Sequence, residues 1–160
     1  MLKTASIGSV STGTLRSEDL IPALHDELES QLFMQERTPE NRETIDQLHA
    51  VYGRIQDECW DESGEFVLPE FDSEIVDELC DALSQFAPPY CYFGTHAGDG
   101  ADFGYWPSLE SLDDSDALRV DDTGDVPADY SGEVIHVNDH GNLTLYVADC
   151  GKLTEVFGLV

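Results

Sequence analysis

Basic residues are scarce in this chain. Seven Lys and Arg stand against 34 Asp and Glu in 160 residues, a formal charge of −27 and a pI near 4.1. Lysine occurs only as Lys3 and Lys152. Phosphate contacts need Lys and Arg, so the composition argues against direct binding of nucleic acid, and the same field repels anionic membranes. Long apolar runs are also lacking. No stretch approaches the ~20 residues that span a bilayer. The opening MLKTASIGSV has no apolar core of the kind a secretory signal carries. The expected location is cytoplasmic, with no membrane partner. No Cys-x-x-Cys pair occurs among Cys59, Cys80, Cys91 and Cys150, and their spacing matches no zinc module. Cys59, Cys80 and Cys91 have apolar neighbours and read as buried free thiols in a reducing compartment.

What is present divides by pattern. The length suits a single domain, 1–160. Residues 1–16 read as an N-terminal arm or edge strand, 17–87 as a helical half, and 89–160 as a β half with an acidic loop at 108–130. The first helix is expected from a cap at Ser17 or Asp19, with Pro22 tolerated near its first turn and Ile21, Leu24, Leu28 and Leu32 as its apolar stripe. The second has Thr38 as N-cap, Pro39 at the first helical position and Glu40 in the first turn. Ile45, Leu48, Tyr52, Ile55 and Cys59 make its stripe, with His49 at the boundary. The segment 61–71 reads as a loop or short strand. A third helix starts at Asp72 or Ser73, carries Ile75, Leu79, Leu83 and Phe86, and stops at Pro88-Pro89. Beyond the acidic loop, which holds at most a helical turn or short strand at 117–120, alternation sets in. Val134–Val137, Leu143–Val147 and Leu153–Phe157 form a three-strand meander around two turns. Tyr90–Phe93 and Phe103–Trp106 would extend that sheet. The fold class is α+β: about three N-terminal helices packed on a C-terminal antiparallel sheet.

The densest stretch in chemistry is PYCYFGTHAGDGADFGYWP, 89–107. It reads as a strand, a glycine-rich loop (Gly94–Gly104) whose glycines supply positive φ, and an aromatic exit. His96, Asp99 and Asp102 could hold a hard divalent ion or place a general base. The alternative is a structural loop whose aspartates cap backbone N–H groups. The glycine spacing does not fit a dinucleotide fingerprint. A second group, His136, Asp139 and His140, lies across a β-turn rather than on a helix, so zinc-helix spacing does not apply. His136 and His140 join the metal reading only if the fold carries them to His96. Asp121-x-Thr123-x-Asp125 resembles the start of a calcium loop, but Val126 stands where that loop needs glycine.

From Asp57 to Asp125 there are twenty acids and one base, Arg119. The densest runs are Asp113, Asp114 and Asp116, then Asp121, Asp122 and Asp125. Carboxylates so closely spaced can imitate a phosphate backbone and compete for a basic channel.

The phrases STGTLRSEDLIPAL (11–24), PYCYFGTHAGDGADFGYWP (89–107) and EVIHVNDHGNLTLYV (133–147) resemble those of short uncharacterised proteins encoded in phages and bacterial genomes. The resemblance implies a mobile-element context and no chemistry. Anti-restriction and anti-CRISPR inhibitors usually take the form of small acidic phage proteins, and many of them mimic nucleic acid, a class-level analogy. The leading expectation is therefore an inhibitor that needs no cofactor, which leans away from an enzyme without deciding it. It would bind a basic surface on a nucleic-acid-handling host protein. The six aspartates would serve as phosphate surrogates, and Tyr105 and Trp106 as aromatic anchors. A metal-dependent enzyme or metal-binding module built on His96, Asp99 and Asp102, and a salt-adapted or accessory protein without a site, are the alternatives.

Overall fold

The computed structural model describes residues 2–159. The chain divides into two compact units, Met1–Pro107 and Ser108–Val160. The α+β class expected from the pattern holds, with helices early and an antiparallel-rich sheet late.

The first unit contains β1 (Gly8–Thr12), α1 (Ser17–Phe33), α2 (Arg42–Cys59), α3 (Asp72–Ser84) and the hairpin β2 (Cys91–His96) and β3 (Asp99–Pro107). Ile21, Leu24 and Leu28 of α1 are fully buried, as are Ile55 of α2, and Leu79 and Leu83 of α3. Each such side chain contributes about 1.5–3 kcal/mol by leaving water. These stripes close over a three-stranded antiparallel sheet of order β1-β3-β2, whose Phe93, Phe103 and Tyr105 complete the core. The hairpin thus pairs with the N-terminal strand in a sheet of its own, and the helices pack on that sheet. The apolar stripes were legible in sequence, but the strand partner was not, because β1 and β3 lie far apart in the chain.

Helix starts differ in detail from expectation. Ser17 is the first helical residue, Arg16 holds the cap position without a side-chain bond, and Pro22 falls in the second turn. Asp19 instead accepts from the Thr14 hydroxyl at 2.9 Å. At α2 the cap position is Asn41, not Thr38. The Asn41 side chain accepts from the Thr38 N–H at 2.7 Å and donates to the Glu36 carbonyl at 2.9 Å, which winds the chain into the helix one turn late.

The second unit contains α4 (Leu109–Asp113), β4 (Leu118–Val120), a 3-10 turn (Thr123–Asp125), β5 (Gly132–Val137), β6 (Leu143–Asp149) and β7 (Lys152–Leu159). The sheet order is β4-β5-β6-β7. The expected meander is β5-β6-β7, all antiparallel, while β4 adds a parallel strand with Leu118 opposite Val134. Leu112, Val134, Ile135, Leu145 and Phe157 are buried in this unit. Gly151 is required at its turn, with φ +77° and no room for a Cβ, which would stand 2.7 Å from the Ala128 carbonyl oxygen. Among the described residues no helix is long and apolar enough to cross a membrane.

Candidate functional site

The glycine-rich segment is not an open loop. Strand pairing runs through Gly94–His96 and Asp99–Gly104, leaving Ala97 and Gly98 as the turn. Gly94, Gly98, Gly100 and Gly104 all avoid positive φ, contrary to the expectation of a coiled loop. Gly104 has a different reason. A Cβ there would lie 2.2 Å from the Gly8 carbonyl oxygen, so only glycine lets β1 cross this position.

The three chemistry-bearing side chains of the hairpin each have a separate local partner. His96 Nδ1 accepts from the Gly98 N–H at 3.1 Å, and its ring meets Trp106 edge to face at 4.7 Å. Asp99 accepts from the Ala101 N–H at 3.0 Å, an Asx-type turn. Asp102 accepts from the Ser9 hydroxyl at 3.1 Å, tying β3 to β1. Among the described residues no group of three or more His, Cys, Asp or Glu is placed to hold a metal ion. The hairpin therefore does not gather His96, Asp99 and Asp102 into a ligand set.

Trp106 is half-buried and donates to the Gly94 carbonyl at 3.1 Å. Tyr105 corrects the expectation of an aromatic anchor. It is 1% exposed and packs edge to face on Phe93 at 4.8 Å, so its ring offers no surface for a protein partner to cover. Side chains alternate across a strand, and the Tyr105–Trp106 pair necessarily points to opposite faces.

The acidic runs flank strand β4, which is an edge of its sheet. Asp113, Asp114 and Asp116 precede it, and Asp121, Asp122 and Asp125 follow it. All six are exposed. Their framework is specific. Ser108 caps α4 by accepting from the Ser111 N–H at 3.2 Å. Arg119 donates to the Leu112 carbonyl at 2.8 Å and to Asp113 at 3.2 Å, so the one base between Asp57 and Asp125 is committed to the helix C-terminus. Asp122 accepts from the Gly124 N–H at 2.8 Å and starts the 3-10 turn. His136 Nε2 lies 3.2 Å from the Asp121 carbonyl, fixing the exit of β4. In the β5–β6 turn, the His140 N–H donates to Asn138 at 2.9 Å. Asp114, Asp116, Asp121 and Asp125 form no ion pair among the described residues.

Besides Asn41 at the start of α2, two buried polar side chains have no counterpart in the sequence expectations. His25 is 2% exposed, stacked on Tyr52 at 4.1 Å and near Trp60 at 4.6 Å. Burial lowers its pKa from the ordinary histidine value, opposed by the Tyr52 carbonyl and by Asp26 and Glu29. Gln31 is 5% exposed. The signal for both was available: His25 is four residues after Ile21 and Gln31 three after Leu28, polar residues in apolar register.

Comparison of the chain with family models, with curated proteins and with solved structures finds no match.

Proposed function

We propose that the chain is a binding protein whose second unit presents a carboxylate array to a basic surface that otherwise holds nucleic acid. The observation that supports this reading is the placement of six exposed aspartates at the two ends of one edge strand, with the one base between them, Arg119, held by the Leu112 carbonyl and Asp113. At ~3.3 Å per residue, Asp116 and Asp121 can stand about 16 Å apart. Duplex DNA carries about nine charges over that length. The six aspartates flank that strand rather than fill it, so the array is sparser than a duplex but of the same sign. A field of this density steers a cationic partner and makes the complex salt-sensitive. A nucleic-acid-handling defence enzyme is the partner class to which the acidity and the phage-type resemblance point. Trp106 is retained as a half-buried aromatic of the first unit with no assigned role in contact.

Acids at an edge strand also discourage edge-to-edge pairing, and one experiment separates the two roles. The immobilised chain is exposed to nuclease-treated bacterial lysate and washed at low and high salt. A variant with Asn at 113, 114, 116, 121, 122 and 125 runs beside it. The expected result is a specific basic partner held at low salt, released at high salt and absent from the variant, which stays folded. Capture by the variant as strong as by the wild type rejects the reading. A variant that captures nothing new but self-associates assigns the aspartates to edge protection.

A further inference from the structure

The first unit contains a cleft of about 380 Å³ that no part of the proposed function uses. One wall is the chain from Lys3 to Val10, the other is Glu27 and Gln31 of α1 with Met34 just past its end, and Tyr105 of β3 reaches it from the sheet. The arm is held in place by Gln35, whose side-chain oxygen accepts from the Lys3 N–H at 2.8 Å and whose nitrogen donates to the Lys3 carbonyl at 3.1 Å. The cleft is thus a fixed feature with a size suited to a small molecule.

Its polar lining is unbalanced. Gln31 Nε2 donates to Glu27 at 2.7 Å. That bond fixes the amide orientation, because the reversed amide would set oxygen against carboxylate. Among the described residues, Gln31 Oε1 is left buried with no hydrogen-bond partner, and no partner of good geometry meets the Tyr105 hydroxyl. Both side chains are more than nine-tenths buried, at 5% and 1% exposure. Burial, followed by the Glu27 carboxylate as a nearby charge and acceptor, pushes the Tyr105 phenol above its ordinary range. The phenol stays protonated and its oxygen can accept. Native proteins leave few such groups idle. Here two fall in one cleft beside a half-buried carboxylate.

We propose that this cleft binds a small organic cation through a primary ammonium group, held by Gln31 Oε1, the Glu27 carboxylate and the Tyr105 hydroxyl. Three acceptors match the three N–H donors of an ammonium. The carboxylate supplies the opposite charge, and the chain's charge of −27 raises the local concentration of cations. Lys3 lines the cleft as its one basic residue and forms no ion pair among the described residues. This inference is independent of the aspartate array, which belongs to the other unit.

The test is calorimetric titration with butylamine and with putrescine in about 0.15 M NaCl, where diffuse charge attraction is screened. Amide shifts are followed in parallel by NMR. Wild type is expected to bind one equivalent saturably, with shifts centred on Ala5–Ser9, Glu27, Gln31 and Tyr105. Tyr105→Phe keeps the ring and its packing, and Glu27→Gln keeps the shape. Each should weaken binding about tenfold or more, the usual loss for a hydrogen bond to a charged group. Folding of both is checked by their amide spectra, and either folded variant is sufficient. Absence of saturable binding, equal affinity in a folded variant, or shifts scattered over the acidic surface would each overturn the proposal. The first of these also covers a cleft that holds only water or an alkali-metal ion.

Discussion

Gly104→Ala is the sharpest perturbation of the first unit. The added methyl would meet the Gly8 carbonyl oxygen at 2.2 Å, the Gly8 carbonyl carbon at 2.9 Å and Ser9 Cα at 2.9 Å. All three are backbone atoms, so no side chain can rotate away. β1 must shift or leave β3. Its ladder runs from Gly8 opposite Tyr105 to Thr12 opposite Asp102, and the Ser9–Asp102 bond goes with it. Overpacking and lost strand bonds together predict a loss of about 2–4 kcal/mol. For a unit of this size that is a fall in Tm of roughly 10 °C. Both tryptophans, Trp60 and Trp106, belong to the first unit. Intrinsic fluorescence during urea unfolding therefore reports the affected unit directly. Hydrogen exchange adds location, since amides at 8–12 should lose protection first. Unfolding curves that coincide within about 0.5 kcal/mol, with protection at 8–12 unchanged, would refute the account of how β1 is seated.

The buried His25 makes stability pH-dependent. Its pKa in the fold is below the ordinary value near 6.5, chiefly through burial. The neutral ring's contribution is therefore complete above about pH 6.5 and is lost as pH falls through the lowered value. The stability difference between wild type and His25→Gln should shrink between about pH 7 and pH 5, and a difference that stays constant with pH would refute this. The thiols make a separate prediction. Burial pushes Cys59 and Cys80 up to about 11 and Cys91 up to about 12, whereas Cys150 is exposed. Cys80 and Cys91 are half-buried rather than buried as the sequence suggested, so a thiol reagent at mildly alkaline pH should label Cys150 rapidly, Cys80 and Cys91 slowly and Cys59 only on unfolding; rapid labelling of more than one would contradict this pattern.

The helices and the meander were legible because each repeats its own period. Ile21, Leu24 and Leu28 advance with the helix, and Leu143, Leu145 and Val147 alternate with the strand. The hairpin at 91–107 was harder to read. Four glycines suggest a loop, yet Gly104 is there for a close backbone crossing, a relation between residues nearly a hundred positions apart. Strand β4 was visible as a short apolar segment, but its parallel pairing with β5 depends on the crossover through residues 121–131. The aspartate runs needed no fold to be noticed, and the structure adds that they flank an edge strand. Tyr105 was misassigned because aromatic density says nothing about which face a strand residue takes. The cleft was not considered, although Gln31 in the register of Leu24 and Leu28 was its trace in the sequence.

Competition measures the central claim most directly. The partner captured by the chain is bound to a labelled nucleic-acid duplex, and the chain is titrated in while anisotropy is read at several salt concentrations. Mimicry by the aspartate array predicts full displacement of the duplex. It also predicts an apparent Kd for the duplex that rises in proportion to the added chain, and no displacement by the variant with Asn at the six positions. A ternary complex in which duplex and chain are bound together, or displacement undiminished in the variant, would contradict it.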